Sequence, residues 1–120
     1  MNNDVDAKIV IGRALRILEV FRAIDPDMPM GEAVSFLLIA NGESREGGGL
    51  SVTKLGTQGG FVLSSASRYV QALGKADRHK RPGHELVSDL RDRADDRRKI
   101  LRLTPKGNRI ITQIRSAIGA

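Results

Sequence analysis

Cysteine and tryptophan are missing from this 120-residue sequence, and aromatic residues of any kind are scarce, with three Phe and one Tyr. Without cysteine there is no disulfide and no thiolate chemistry, which fits a reducing compartment. With so few rings, the core has to be assembled from Leu, Ile, Val and Ala. Also absent is any apolar run approaching the ~20 residues of a membrane-spanning helix. The start, MNNDVDAKIV, puts acids ahead of a modest apolar stretch, unlike the basic opening of a secretory signal. A cytoplasmic chain with no membrane partner is the expectation.

The raw materials of catalysis are equally thin. His79 and His84 are the only histidines, and with no cysteine and no carboxylate at ligand spacing they make no zinc site. GGG at 47–49 and QGG at 58–60 lack the Lys-Ser/Thr that turns a glycine loop into a phosphate cradle. Asp95 and Asp96 sit among arginines on a polar loop, a poor setting for general-acid catalysis. No enzyme activity, no metal and no cofactor are expected.

What the sequence does have is positive charge. Twenty Lys/Arg against 14 Asp/Glu leave a net +6. The excess is concentrated: residues 68–109 carry thirteen Lys/Arg against six Asp/Glu, so this segment is +7 and the remainder slightly acidic. A basic surface attracts phosphate backbones or anionic membranes, although it can also be no more than a solvated face. The apolar content of 40% and charged content of 28% are those of an ordinary globular chain, and the length fits a single domain, 1–120.

Hydrophobic spacing supplies the elements. Over 5–24, Val10, Ala14, Ile17, Phe21 and Ile24 form one helical stripe, and Ile11, Leu15 and Leu18 form a second beside it. Two adjoining stripes exceed what a one-sided surface helix needs, so this helix is either deeply buried or meets another subunit. After DPDMP, Pro29 suits a first helical turn, and GEAVSFLLIAN is apolar enough for a central core helix with Gly42 as its C-terminal cap. ESREGGG then reads as a connector. LSVTKLG begins a short helix with Val52 and Leu55 inward, which TQGG weakens, and Gly60 suits a turn.

LSSASRYVQALGK (63–75) follows. Ala66, Tyr69, Val70 and Leu73 share one face, while Ser64, Ser65, Ser67, Arg68, Gln71 and Lys75 occupy the others. Serines are mediocre helix formers, so their concentration on an exposed face calls for a reason. A short helix, a turn and this second helix make a helix-turn-helix candidate at 50–75. KADRHKRPG is a basic loop, and HELVSDLRD and RKILRL read as two strands joined by DRADDR, a wing over 84–104. Thr104-Pro105 gives an N-cap followed by Pro at the first position of a last helix, 105–118, lined by Ile110, Ile111, Ile114 and Ile118.

DDRRKILRLTPKG (95–107) resembles the wing-to-last-helix signature of MarR-type winged-helix regulators, D-x-R-x-x-x-L-x-L-T-x-x-G. Asp95, Arg97, Leu101, Leu103, Thr104 and Gly107 fill every fixed place. LSSASRYVQALG resembles that family's recognition helix, and GKADRHKRPGHELV a basic linker of phage- and plasmid-borne members. The resemblance spans about residues 28–114. It implies a mainly α fold with a small β-hairpin wing, dimerising through its terminal helices, and a homodimer that binds pseudo-palindromic double-stranded DNA, usually as a repressor. By position it places Ser64, Ser65, Ser67 and Arg68 at the major groove, Arg97 at the wing and Asp95 as its brace. The family departs from this chain at Val62, where members often carry a polar N-cap; a late start at Ser64 would shift the contact register. Small-molecule effectors are common in such regulators, but three Phe and one Tyr offer little material for an aromatic pocket, so an effector has no support here.

The chemistry of the residues runs the same way. Short side chains let a helix approach the groove floor, with Gln71 beside them, and Arg68 can grip guanine O6 and N7 in a bidentate fork. Lys75, Arg78, Lys80 and Arg81 suit phosphates, which position a protein and make its affinity salt-dependent. Arg93 and Arg97 are nearly equal candidates for a narrow minor groove. Against this stand a surface ion pair for Arg97 and simple tolerance of small residues for the serines. Two other functions remain open: a winged-helix module for protein–protein assembly, and a DNA-binding replication or packaging accessory of a mobile element. The arginine-bearing wing favours DNA over assembly.

Overall fold

The computed structural model describes residues 3–43, 48–76, 79–91 and 99–119. Along the chain run α1 (Asn3–Ile24), α2 (Met30–Glu43), α3 (Val52–Gly59), α4 (Leu63–Leu73), β1 (Val87–Arg91), β2 (Lys99–Leu103) and α5 (Pro105–Ala117). They divide into two compact units, residues 29–108 and residues 1–28 with 109–120.

In the larger unit, α2 is the central element, packed against α3, α4 and β2. Its apolar sequence explains this: Ala33, Phe36 and Ile39 are buried, with Phe36 and Ile39 fully so. Pro29 stands just ahead of the helix, its carbonyl accepting from the Glu32 and Ala33 amides at 3.0 and 3.3 Å. Gly42, expected as the cap, lies instead inside the last helical turn, buried under the Leu50 side chain. The helix continues to Glu43, whose Oε2 accepts the Leu103 amide of β2 at 3.1 Å. That bond joins the helix end to the sheet, a use of the glutamate that overrides the glycine stop signal.

Leu55 of α3, Ala66 and Leu73 of α4, Leu86 just before β1 and Leu101 of β2 complete a fully buried aliphatic core. β1 and β2 pair antiparallel with Val87 opposite Leu103 and Arg91 opposite Lys99. Leu50 adds an isolated bridge to Leu101, whose amide donates to the Leu50 carbonyl at 2.8 Å. Ile100, Leu101 and Leu103 are all buried, so β2 breaks strict alternation.

In the smaller unit, Phe21, Ile110 and Ile114 are buried, and the Arg16 guanidinium donates to the Ala117 carbonyl at 3.3 Å. The first stripe of α1 is buried only toward its C-terminal end. Val10 is exposed, and Ile9, Ile11, Leu15 and Leu18 are exposed with it.

Candidate nucleic-acid interface

The helix-turn-helix is built from local capping chemistry. Ser51 caps α3, its hydroxyl accepting the Lys54 amide at 3.2 Å. At the other end Gly60 adopts φ 71°, a left-handed conformation that a side chain would strain, and its N–H returns to the Gly56 carbonyl. The Phe61 amide reaches the same carbonyl at 2.9 Å. The chain thus reverses in three residues and enters α4 at once. α3 is a regular helix through Gly59 rather than the weakened one TQGG suggests, because both ends are capped, Leu55 is fully buried and the helix packs against α2 and α4.

α4 begins at Leu63, with Val62 in the N-cap position and no side-chain cap. The late start expected from the missing hydroxyl does not occur: the Val62 carbonyl accepts from the Ser65 and Ala66 amides, both at 3.0 Å. Packing against α2 and α3 decides the helix start, not the cap. On the inner face Ala66 and Leu73 are fully buried and Tyr69 and Val70 half-buried. Tyr69 meets Phe61 edge-on, ring centroids 5.1 Å apart, which pins the turn to the helix. On the outer side Ser64, Arg68 and Gln71 are exposed, while Ser65 and Ser67 are half-buried at its margins. Arg68 Nη2 donates to Ser65 Oγ at 3.3 Å. The helix ends at Leu73, so Lys75 lies beyond it on the following loop, exposed.

That loop doubles back. Amides of His84, Glu85 and Leu86 donate to the carbonyls of Ala72, Gly74 and Leu73 at 3.0, 2.9 and 2.8 Å, and Gly83 donates to Lys75 at 3.0 Å. The last carbonyls of α4 are satisfied by the very strand segment that leads into the wing. Two side chains in this region, Lys80 and Glu85, take positive φ, 61° and 57°. His79, Lys80 and Arg81 are exposed. Arg68, Tyr69, His79 and Arg81 line an open groove of about 380 Å³ with Pro29, Glu32 and Ala72. Behind it, buried Glu32 stands 3.5 Å from His84 Nε2, a pair the sequence does not announce.

The wing signature has a structural meaning at each described position. Leu101 and Leu103 are core residues. The Thr104 hydroxyl accepts the Gly107 amide at 3.0 Å and donates to the Glu85 carbonyl at 2.6 Å. Gly107 lies so close to the Leu86 carbonyl that a Cβ would overlap it. On the strands, Lys99 pairs with Asp89 at 3.3 Å. Arg93, Asp95 and Arg97, and Arg78 of the basic loop, lie outside the described residues. Among the described residues no helix is long and apolar enough to cross a membrane.

A capped helix-turn-helix followed by a two-stranded hairpin and a closing helix is the winged-helix fold, here in its MarR-type arrangement. Solved structures that share it include MarR-family transcriptional regulators. Transcriptional regulator Tm0710 from Thermotoga maritima superposes with a TM-score of 0.69 at 17% identity, over 97% of this chain and 71% of that one. PcaV from Streptomyces coelicolor, a transcriptional regulator in complex with its natural ligand, gives 0.52 at 25% identity over 88% and 70%. A mutant of MepR from S. aureus bound to an oligodeoxyribonucleotide gives 0.57 at 17% identity over 99% and 78%. No family model and no curated protein matches the sequence.

Proposed function

We propose that the protein is a sequence-specific double-stranded DNA-binding transcriptional regulator, a homodimeric repressor, that reads the major groove with α4 and the minor groove with the wing. The observation that carries this reading is the outer side of α4. Ser64, Arg68 and Gln71 are exposed on a helix held from behind by Ala66 and Leu73, with exposed Lys75, Lys80 and Arg81 following directly. Short residues at the leading end let the backbone approach base edges, and Arg68 reaches beyond them. The cations of the loop are placed to meet phosphates. Ser65 and Ser67 stand at the margin of this face, and Ser65 orients Arg68 by its hydrogen bond. Arg78, and Arg93 or Arg97 with Asp95 as brace, would extend the footprint along the backbone and into the minor groove. Support also comes from the fold, which MepR carries when bound to an oligodeoxyribonucleotide.

Dimerisation is assigned to the terminal helices. Ile11, Leu15 and Leu18, with Val10 at their edge, leave an exposed apolar stripe on α1 that a second copy would cover. Two copies would present two reading helices to a palindrome.

The test is an anisotropy titration against random duplex and against a duplex selected from a random pool, over a range of salt. Affinity for both should fall steeply with salt, and the selected duplex should stay preferred. Arg68→Ala should remove most of that preference, worth ~1–3 kcal/mol for a bidentate guanine contact. Lys80→Ala should weaken all duplexes alike and reduce the salt slope by about two, one for each copy in the dimer. Salt-insensitive or absent duplex binding would overturn the proposal.

A further inference from the structure

We infer that Val62 and Leu63 are base-reading residues, selecting thymine through its 5-methyl group; the inference rests on the DNA reading of α4. Both are large apolar side chains at the leading end of the helix, and both are open to solvent, 68% and 60% exposed. By spacing they continue the side of Ala66, Tyr69, Val70 and Leu73 to its open N-terminal end, but their exposure shows that they contribute little to the core. Val62 occupies the N-cap position, where Ser, Thr, Asp or Asn would accept an amide hydrogen bond and stabilise the helix. The sequence forgoes that cap and exposes an isopropyl group instead, so folding does not explain the choice.

The surroundings say what these side chains face. Ser64 follows them on the exposed helix, one turn before Arg68, where the +7 segment begins. The turn is rigid: the Phe61 amide is bonded to Gly56 at 2.9 Å, and the Phe61 ring is seated against Tyr69. The backbone that carries Val62 and Leu63 is thereby held at the entrance to α4. A major groove offers one apolar feature to such a pair, the thymine methyl, which water solvates poorly and an aliphatic side chain covers well. Hydroxyl and guanidinium groups read polar base edges, and this pair reads the methyl edge beside them.

The experiment uses the full-length protein and the duplex it selects from a random pool, synthesised with thymine or with deoxyuridine, which removes only the 5-methyl. Wild type should bind the uracil duplex more weakly, by about fourfold for each methyl fully covered. In the variants Val62→Ser and Leu63→Ser, and above all in the pair, the thymine and uracil duplexes should be bound alike. Val62→Ser should at the same time raise Tm, because it restores the cap; a gain in stability with a loss of methyl discrimination separates reading from folding. Equal binding of thymine and uracil duplexes by the wild type, with selectivity and salt dependence intact, overturns this inference and leaves the DNA reading standing. Undiminished uracil discrimination in the double variant likewise removes these two residues from the reading. Failure of the wild type to bind any duplex overturns both.

Discussion

Gly107 is fixed by a single atom, the Leu86 carbonyl oxygen, which a Cβ would overlap. The oxygen has no room to retreat, because it also accepts the Thr104 amide at 3.0 Å. Helix propensity alone favours Ala over Gly by ~1 kcal/mol. The steric cost against backbone is larger, so Gly107→Ala should destabilise the fold by about 2 kcal/mol and lower Tm by roughly 5–10 °C. A thermal melt that rose would show the helix term winning and sink this account. At this scale the sequence was legible where a residue's task is local. Thr104 as a cap, Gly60 as a turn and the apolar stripe of α4 follow from side-chain chemistry and spacing. Gly42 was misleading because a partner distant in sequence, the Leu103 amide, holds α2 together past it. Val62 was visible only as a missing cap; its exposure depends on how α3 and α4 close the turn.

Side-chain hydrogen bonds help to join the elements, and Thr104 makes two of them. Its hydroxyl starts α5 through Gly107 and ties that start to the Glu85 carbonyl. Thr104→Val keeps the shape and removes both bonds, so it should cost about 1–2 kcal/mol. Thr104→Ser should recover most of the loss, as urea unfolding with an unchanged m-value would report. The order of helices and the hairpin could be read from periodicity, because each element buries one face. The return of residues 83–86 onto the end of α4 could not, since amides and carbonyls carry no residue-type signature. The same is true of the groove bounded by Arg68, His79 and Arg81, which depends on that return. Which cations belong to the reading face was therefore only partly legible: Lys75 counted as helix in the sequence and stands on the loop in the structure.

For the whole molecule, the governing quantities are charge and copy number. A dimer that places two reading helices on DNA makes twice the phosphate contacts of a monomer, and the salt slope is proportional to those contacts. Leu15→Glu puts a charge in the exposed apolar face of α1, where a second copy would have to bury it. Sedimentation equilibrium should find the wild type dimeric and the variant monomeric. The variant should lose preference for the palindrome while its salt slope falls to about half. A monomeric wild type, or a variant whose slope is unchanged, would separate dimerisation from this face.

The four backbone bonds that lead from the end of α4 into β1 have a consequence for how such a protein could acquire a new target. They clamp the reader to the base of the wing, so the helix cannot be tilted or slid to suit a different sequence without unpicking the hairpin behind it. Adaptation is then confined to exchanging the side chains it displays. A specificity transplant should accordingly move residues 50–86 as one cassette, since α4 lifted out alone would leave its final carbonyls without the strand that closes them.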